Sequence, residues 1–193
     1  MEIREQVLSA AVRVVNELGW HAATTRRIAE TAGVNEVTLF RHFGSKEALL
    51  REAMCWSADK APLPLLPDEP GDALAELGLW ASEHYQHLVE VRTHIRKTIG
   101  EFDMHPDVAS WAMRVPKQRS MSLEQYLTTL VERGRTTGDW DPRAAANMLL
   151  GTLFADAISR DIMPERLPSP ADDAPRQYVE LFLNAIGYHP SKP

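Results

Sequence analysis

Cysteine is nearly absent. Cys55 stands alone among 193 residues, so no internal disulfide can form and a reducing cytoplasm is the expected compartment. Long apolar runs are missing too. No stretch approaches the roughly 18 unbroken apolar residues of a spanning helix, so no membrane partner is expected. The opening Met1-Glu2-Ile3-Arg4-Glu5 carries acids and no apolar core, which speaks against a secretory leader. The chain has no Gly-rich phosphate loop, no His-Glu-x-x-His pair, no Gly-x-Ser-x-Gly elbow and no convincing pair of catalytic carboxylates. On that reading it is not an enzyme and needs no cofactor.

An excess of positive charge is also lacking. Against 27 acids stand 21 lysines and arginines, a net charge of −6, and taken whole this argues against a nucleic-acid partner. The distribution reads differently. Residues 1–50 carry six bases and six acids, so the entire −6 falls on residues 51–193. A neutral head on an acidic body permits DNA binding by the head without establishing it.

What is present is helical pattern. With 44% apolar and 25% charged residues, the chain can bury a core and keep a solvated surface. Ile3, Val7, Ala10, Ala11, Val14 and Leu18 recur at steps of three and four, and Gly19 follows as a stop. Thr24 offers an N-cap for a helix ending at Gly33, Asn35 one for a helix ending at Gly44, and Ser45 one for a helix running towards Ala58. Residues 61–71 hold four prolines and predict an extended connection. Beyond it, helices are expected over 72–89, near 90–100, and over 106–115, 116–136, 142–163 and 175–186. No alternating strand pattern competes. The expected fold is all-α with about nine helices: a head over 1–58, a proline-rich connection over 59–71 and a larger helical domain over 72–193.

The second and third helices, joined by Ala32-Gly33-Val34-Asn35, have the spacing of a helix-turn-helix. Gly33 supplies the left-handed turn residue, and Leu39 and Phe43 point inward. Glu36, Val37, Phe40 and Arg41 then share the face a major groove would meet, flanked by Thr38 and His42. Arg41 suits guanine O6 and N7 or a phosphate, Glu36 a cytosine amino group or simply its own helix dipole, and Val37 a thymine methyl. Thr24 and Lys46, at helix starts, and Arg26 and Arg27 suit phosphates.

The run Gly19-Trp20, Thr24, Ile28-Ala29-x-x-Ala32-Gly33-Val34, Thr38-Leu39-Phe40-Arg41-His42-Phe43 and Ser45-Lys46-Glu47-Ala48-Leu49 resembles the TetR family of bacterial transcriptional regulators. The likeness is gapless over roughly the first quarter of the chain. It weakens afterwards to helix number and to Gly138-Asp139-Trp140-Asp141-Pro142 with Ala144-Ala145-Ala146. The resemblance implies a homodimer on a palindromic double-stranded operator, released when a small molecule enters the C-terminal domain. It also implies that the last two helices form the dimer interface, where Gly151, Ala155 and Ala157 permit close approach and Tyr178, Leu181, Phe182 and Ala185 offer apolar area. Three positions depart from the family pattern: Phe40 where tyrosine is common, the acidic and apolar pair Glu36-Val37, and Thr25 where an aliphatic residue is usual.

In the body, Trp80, Tyr85, Phe102, Trp111, Met113, Met121, Tyr126 and Phe154 are either ordinary core or, together, the lining of an apolar cavity. The effector-pocket candidates are Trp80, His84, His87, Phe102, Trp111, Met121, Tyr126 and Phe154, for a small apolar or aromatic effector. His84, His87, Arg92 and Arg96 are polar groups that can orient an anion on it. His84, His87 and His94, with Glu83 and Glu90 nearby, resemble zinc donors but lack a motif's spacing, so no metal is expected. Cys55, without a resolving partner, reads as a plain thiol before a redox switch. The function expected is that of a ligand-released repressor. A helical ligand-binding or interaction module without DNA binding, and a transcriptional activator, stay open.

Overall fold

Small-residue and aliphatic spacing builds the first helix, α1 (Ile3–Leu18), which buries Val7, Leu8, Ala10, Ala11, Val14 and Val15 on one face. Then follow α2 (Thr25–Ala32), α3 (Glu36–Phe43) and α4 (Lys46–Lys60). The computed structural model describes residues 2–60, 65–101, 113–168 and 170–190, though not the side chains of residues 58, 59 and 101. Among these residues there are eight α-helices, two short 3₁₀ turns and no strand. The fold is all-α, as the sequence predicts.

Two units divide the chain. The first comprises Met1–Pro62 and Thr93–Val115, the second Leu63–Arg92 and Pro116–Pro193. In the first, α1 packs against α2 and α4, and α3 against α2 and α4. One apolar cluster results, joining the α1 face to Ile28, Ala29, Ala32, Leu39, Phe43, Leu49, Leu50 and Ala53. The caps are those the sequence predicts. Thr24 Oγ1 accepts from Arg27 N at 3.2 Å, Asn35 Oδ1 from Val37 N at 2.8 Å, and Ser45 Oγ from Ala48 N at 3.1 Å. Gly33 sits at φ 66° and ψ 32°, and its N–H and that of Val34 return to the last carbonyls of α2. A left-handed residue there turns the chain sharply enough to set α3 across α2.

The second unit draws on α5 (Ala73–Glu101) as far as Arg92, on α6 (Arg114–Glu132) from Pro116, and on α7 (Pro142–Ser159) and α8 (Ala174–Ala185). Its buried residues include Leu77, Trp80, Ala81 and Tyr85, with Leu123, Tyr126, Leu127, Leu130, Leu149, Leu153, Val179 and Phe182. Where two helices are expected over 72–89 and 90–100, the chain forms one, α5. No proline interrupts it, and Gly78 is tolerated in its interior. Pro116 lies inside the first turn of α6 and does not begin it, because an early proline costs no hydrogen bond there. Gly134, at φ 63°, then ends that helix short of the expected Thr136. The expected helix over 106–115 lies largely outside the described residues, as does the Pro-rich start of the connection, 61–64.

Candidate nucleic-acid interface

The face predicted for DNA is exposed, and the structure shows how it is held. Leu39 and Phe43 are buried beneath it. Above them, Val37 is 72% exposed and Phe40 48%. Together they leave a small apolar patch of this short helix open to water. Arg41 is exposed, with no ion pair or hydrogen bond to another described residue. His42 is exposed beside it, its ring 6.2 Å from that of Phe43. Thr38 is half-buried one turn from the N-cap.

Glu36 is placed differently from a free groove reader. Its Oε1 accepts a hydrogen bond from Thr25 Oγ1 at 2.5 Å, across the turn. In the sequence Thr25 stands out only as a departure from the family pattern, with no function attached. Two polar departures in facing first turns were the signal that they pair.

The flanking cations fall into two groups. Arg26 and Arg27 reach Glu30 at 3.2 and 3.9 Å, with side chains 82% and 59% exposed. Pairs so exposed are worth roughly 0–1 kcal/mol, so a phosphate competes easily for either guanidinium. Thr24 spends its acceptor on Arg27 N, which leaves its hydroxyl proton to donate. Lys46 Nζ already donates to His21 O at 3.1 Å. Arg4, passed over in the sequence, braces the site from behind. Its guanidinium pairs with Glu52 at 2.5 Å and lies 5.0 Å above the Phe43 ring.

The second unit's candidates separate. Trp80, His84 and Tyr126 are buried, and Trp80 stacks on His84 with ring centroids 5.4 Å apart. His87 is half-buried. Met121 and Phe154 are exposed at 59% and 37%, and Phe102 and Trp111 lie outside the described residues. A cleft of about 790 Å³ in this unit is lined by other residues, among them Leu74, Arg135, Glu180, Leu183 and Tyr188. Tyr126 Oη donates to Glu76 Oε2 at 2.6 Å, and burial and that carboxylate push the phenol well above its ordinary range. Among the described residues no three side chains gather to hold a metal, and no helix is long and apolar enough to cross a membrane.

Of the predicted interface residues, Gly151, Ala155, Leu181 and Ala185 are exposed, and Met148 joins them on α7 at 53%. Phe182 is buried in the unit's own core. Tyr178 is half-buried and donates to Asp156 Oδ2 at 2.6 Å. Asp156 also accepts from Tyr85 at 2.9 Å and from Arg160 at 2.6 and 2.5 Å. Burial alone would raise this carboxyl. The hydrogen bonds from Arg160, Tyr178 and Tyr85 outweigh it and hold the group below its ordinary value.

Residues 7–53 match the family described as bacterial regulatory proteins, tetR family. Over 187 residues the chain is 28% identical to the HTH-type transcriptional regulator YvkB of Bacillus subtilis, covering 94% of this chain and 96% of that one. The tetracycline repressor protein class C of Escherichia coli is 45% identical over 47 residues, 24% of this chain and 22% of the repressor. A TetR transcriptional regulator from Agrobacterium tumefaciens superposes with a TM-score of 0.78 at 19% identity, covering 98% of this chain and 96% of the other. At that identity the superposition speaks for the fold alone.

Proposed function

We propose that this chain, a transcriptional regulator of the TetR family, is a repressor that holds a palindromic DNA operator as a homodimer and is released by a small-molecule effector. The exposed Val37, Phe40 and Arg41 on a helix fixed by buried Leu39 and Phe43 carry the reading. Arg41, without a hydrogen-bond or ion-pair partner among the described residues, reads a guanine or clamps a phosphate, and Val37 meets a thymine methyl. Glu36 reads from the start of the same helix, with Thr38 and His42 beside it. Thr24, Arg26, Arg27 and Lys46 position the backbone. The protein acts in the cytoplasm by binding and not by catalysis, with 1–58 as the DNA head, 59–71 as connection and 72–193 as the effector and dimer domain.

Two copies meet through α7 and α8, where Met148, Gly151, Ala155, Leu181 and Ala185 leave an apolar, small-residue surface in water. Such a pairing sets the two recognition helices about one DNA turn apart, roughly 34–36 Å. The effector, apolar or aromatic in body, binds the DNA-incompetent conformation better. By linkage, DNA then weakens effector binding by the same factor. The head's likeness to the tetracycline repressor supports the repressor role.

Selection of bound duplexes from a random pool, at two salt concentrations, tests the reading. An inverted repeat with steep salt dependence is expected. A folded, dimeric protein that selects nothing overturns it and favours a module without DNA binding.

A further inference from the structure

Three buried charged side chains stand out in the second unit, and two of them are saturated. Asp156, 1% exposed, has Arg160 and two tyrosine hydroxyls. Arg135, 7% exposed, donates to the carbonyls of Pro70, Gly71 and His189 and to Tyr188 Oη, at 2.6 to 3.4 Å. Arg119, on α6, is different. It is 5% exposed, and among the described residues its one hydrogen-bond partner is the Nδ1 of His84 and its Nε has no acceptor. An imidazole that accepts at Nδ1 carries its proton on Nε2 and is neutral, so it cancels none of the charge. No carboxylate among the described residues pairs with Arg119. Asp156 is spent on Arg160, Glu76 on Tyr126 and the amide of Gly71, and Asp161 on Arg92.

A guanidinium taken out of water is tolerated only when an anion and further hydrogen bonds offset its lost hydration. Burial accordingly weakens the hold of Arg119 on its proton. The chain itself supplies no such anion among the described residues. The surroundings are apolar and aromatic: Leu123, one turn along α6, is fully buried, Tyr126 a turn further is 2% exposed, and Trp80 stacks on His84. A charged fork at one end of an apolar, aromatic region is the pattern that recognises an organic acid, because guanidinium and carboxylate pair through two parallel hydrogen bonds.

We propose that Arg119, with His84 beside it, is the anchor for the carboxylate of the effector, which is therefore an organic acid with an apolar or aromatic body. This rests on the effector-released reading above and narrows it to one chemical class. The carboxylate takes the vacant Nε and the neighbouring guanidinium nitrogen, and His84 Nε2 is a further donor.

The test titrates the full-length protein with decanoate, 3-phenylpropionate and their primary amides, followed by calorimetry and by release of a selected duplex. At least tenfold tighter binding of an acid than of its amide is expected, with that preference lost in Arg119→Met. Native helicity of the variant is checked by circular dichroism. Arg119→Lys, which keeps a charge but not the fork, should retain part of the preference and serves where the apolar variant does not fold. Equal binding of acids and amides, a preference that survives Arg119→Met, or no binding of either acid overturns the proposal. Acids that bind through Arg119 without releasing the duplex leave the anchor standing and overturn the release reading. Release by amides and acids alike does the reverse.

Discussion

Thr25 Oγ1 donates to Glu36 Oε1 at 2.5 Å and so ties the first turn of α2 to the first turn of the recognition helix. Glu36 Oε2 has no partner among the described residues. The carboxylate is thus fixed by one oxygen and left with one acceptor, the arrangement a cytosine amino group requires. Thr25→Val removes the tie without removing bulk. Discrimination at the base pair met by Glu36 should fall by roughly 1 kcal/mol, while overall affinity changes little. Competition between duplexes that differ at that one pair measures it, and unaltered discrimination reduces the tie to a structural contact.

Arg41 gives a sharper outcome because it owes nothing to the fold. It is exposed and makes no hydrogen bond or ion pair to a described residue that a substitution would break. Arg41→Ala should cost roughly 1–3 kcal/mol of operator binding with the thermal midpoint and dimer unchanged. If the loss is confined to one base position, Arg41 reads a base. If it is uniform and the salt slope falls by about one, Arg41 holds a phosphate. Full operator affinity in the variant would remove Arg41 from the interface.

Gly33 tests the turn itself. A Cβ added there meets nothing within 4 Å, so any loss in Gly33→Ala is backbone strain at φ 66° and not a clash. The expected cost is about 1–2 kcal/mol in chemical denaturation. A neutral substitution would mean that the angle between α2 and α3 does not depend on a left-handed residue.

Much of the head is legible in the sequence. Caps, stops and the apolar period of the head are local signals, and Thr24, Asn35, Ser45, Gly33 and Gly44 each act at the predicted place. The inward Leu39 and outward Val37 follow from helical period alone. What failed was what depends on partners far along the chain. Glu36 and Thr25 are eleven residues apart, Arg4 and Glu52 forty-eight, and His84 and Arg119 thirty-five. Each of those residues, read singly, has an ordinary solvated role. Period was also a weak guide in the second unit, where a break was expected near residue 89 and α5 runs through it without one. Exposure of Met121 and Phe154 shows the same limit, since composition names aromatic and sulfur side chains without saying which way they turn.

Asp156 is the acceptor that joins α5, α7 and α8 through Tyr85, Arg160 and Tyr178. Its carboxyl is held below its ordinary value in the folded protein. A group shifted that way stabilises the fold fully above its unfolded value of about 4, and that stability is lost as pH falls through the folded value. Tyr85 acts at the other end. Burial, then the bond to Asp156, push its phenol up to about 12. Its contribution is whole below the unfolded value of about 10 and disappears as pH rises through about 12. Asp156→Asn should therefore cost about 3–5 kcal/mol near neutrality, where Arg160 loses its counter-charge. It should cost far less at the acid end, because the wild-type carboxyl is itself being neutralised there. Urea denaturation of both proteins across the acid range reads the difference directly. A gap that stays constant down to the lowest pH at which both still fold would show that charge on Asp156 does not hold the three helices together.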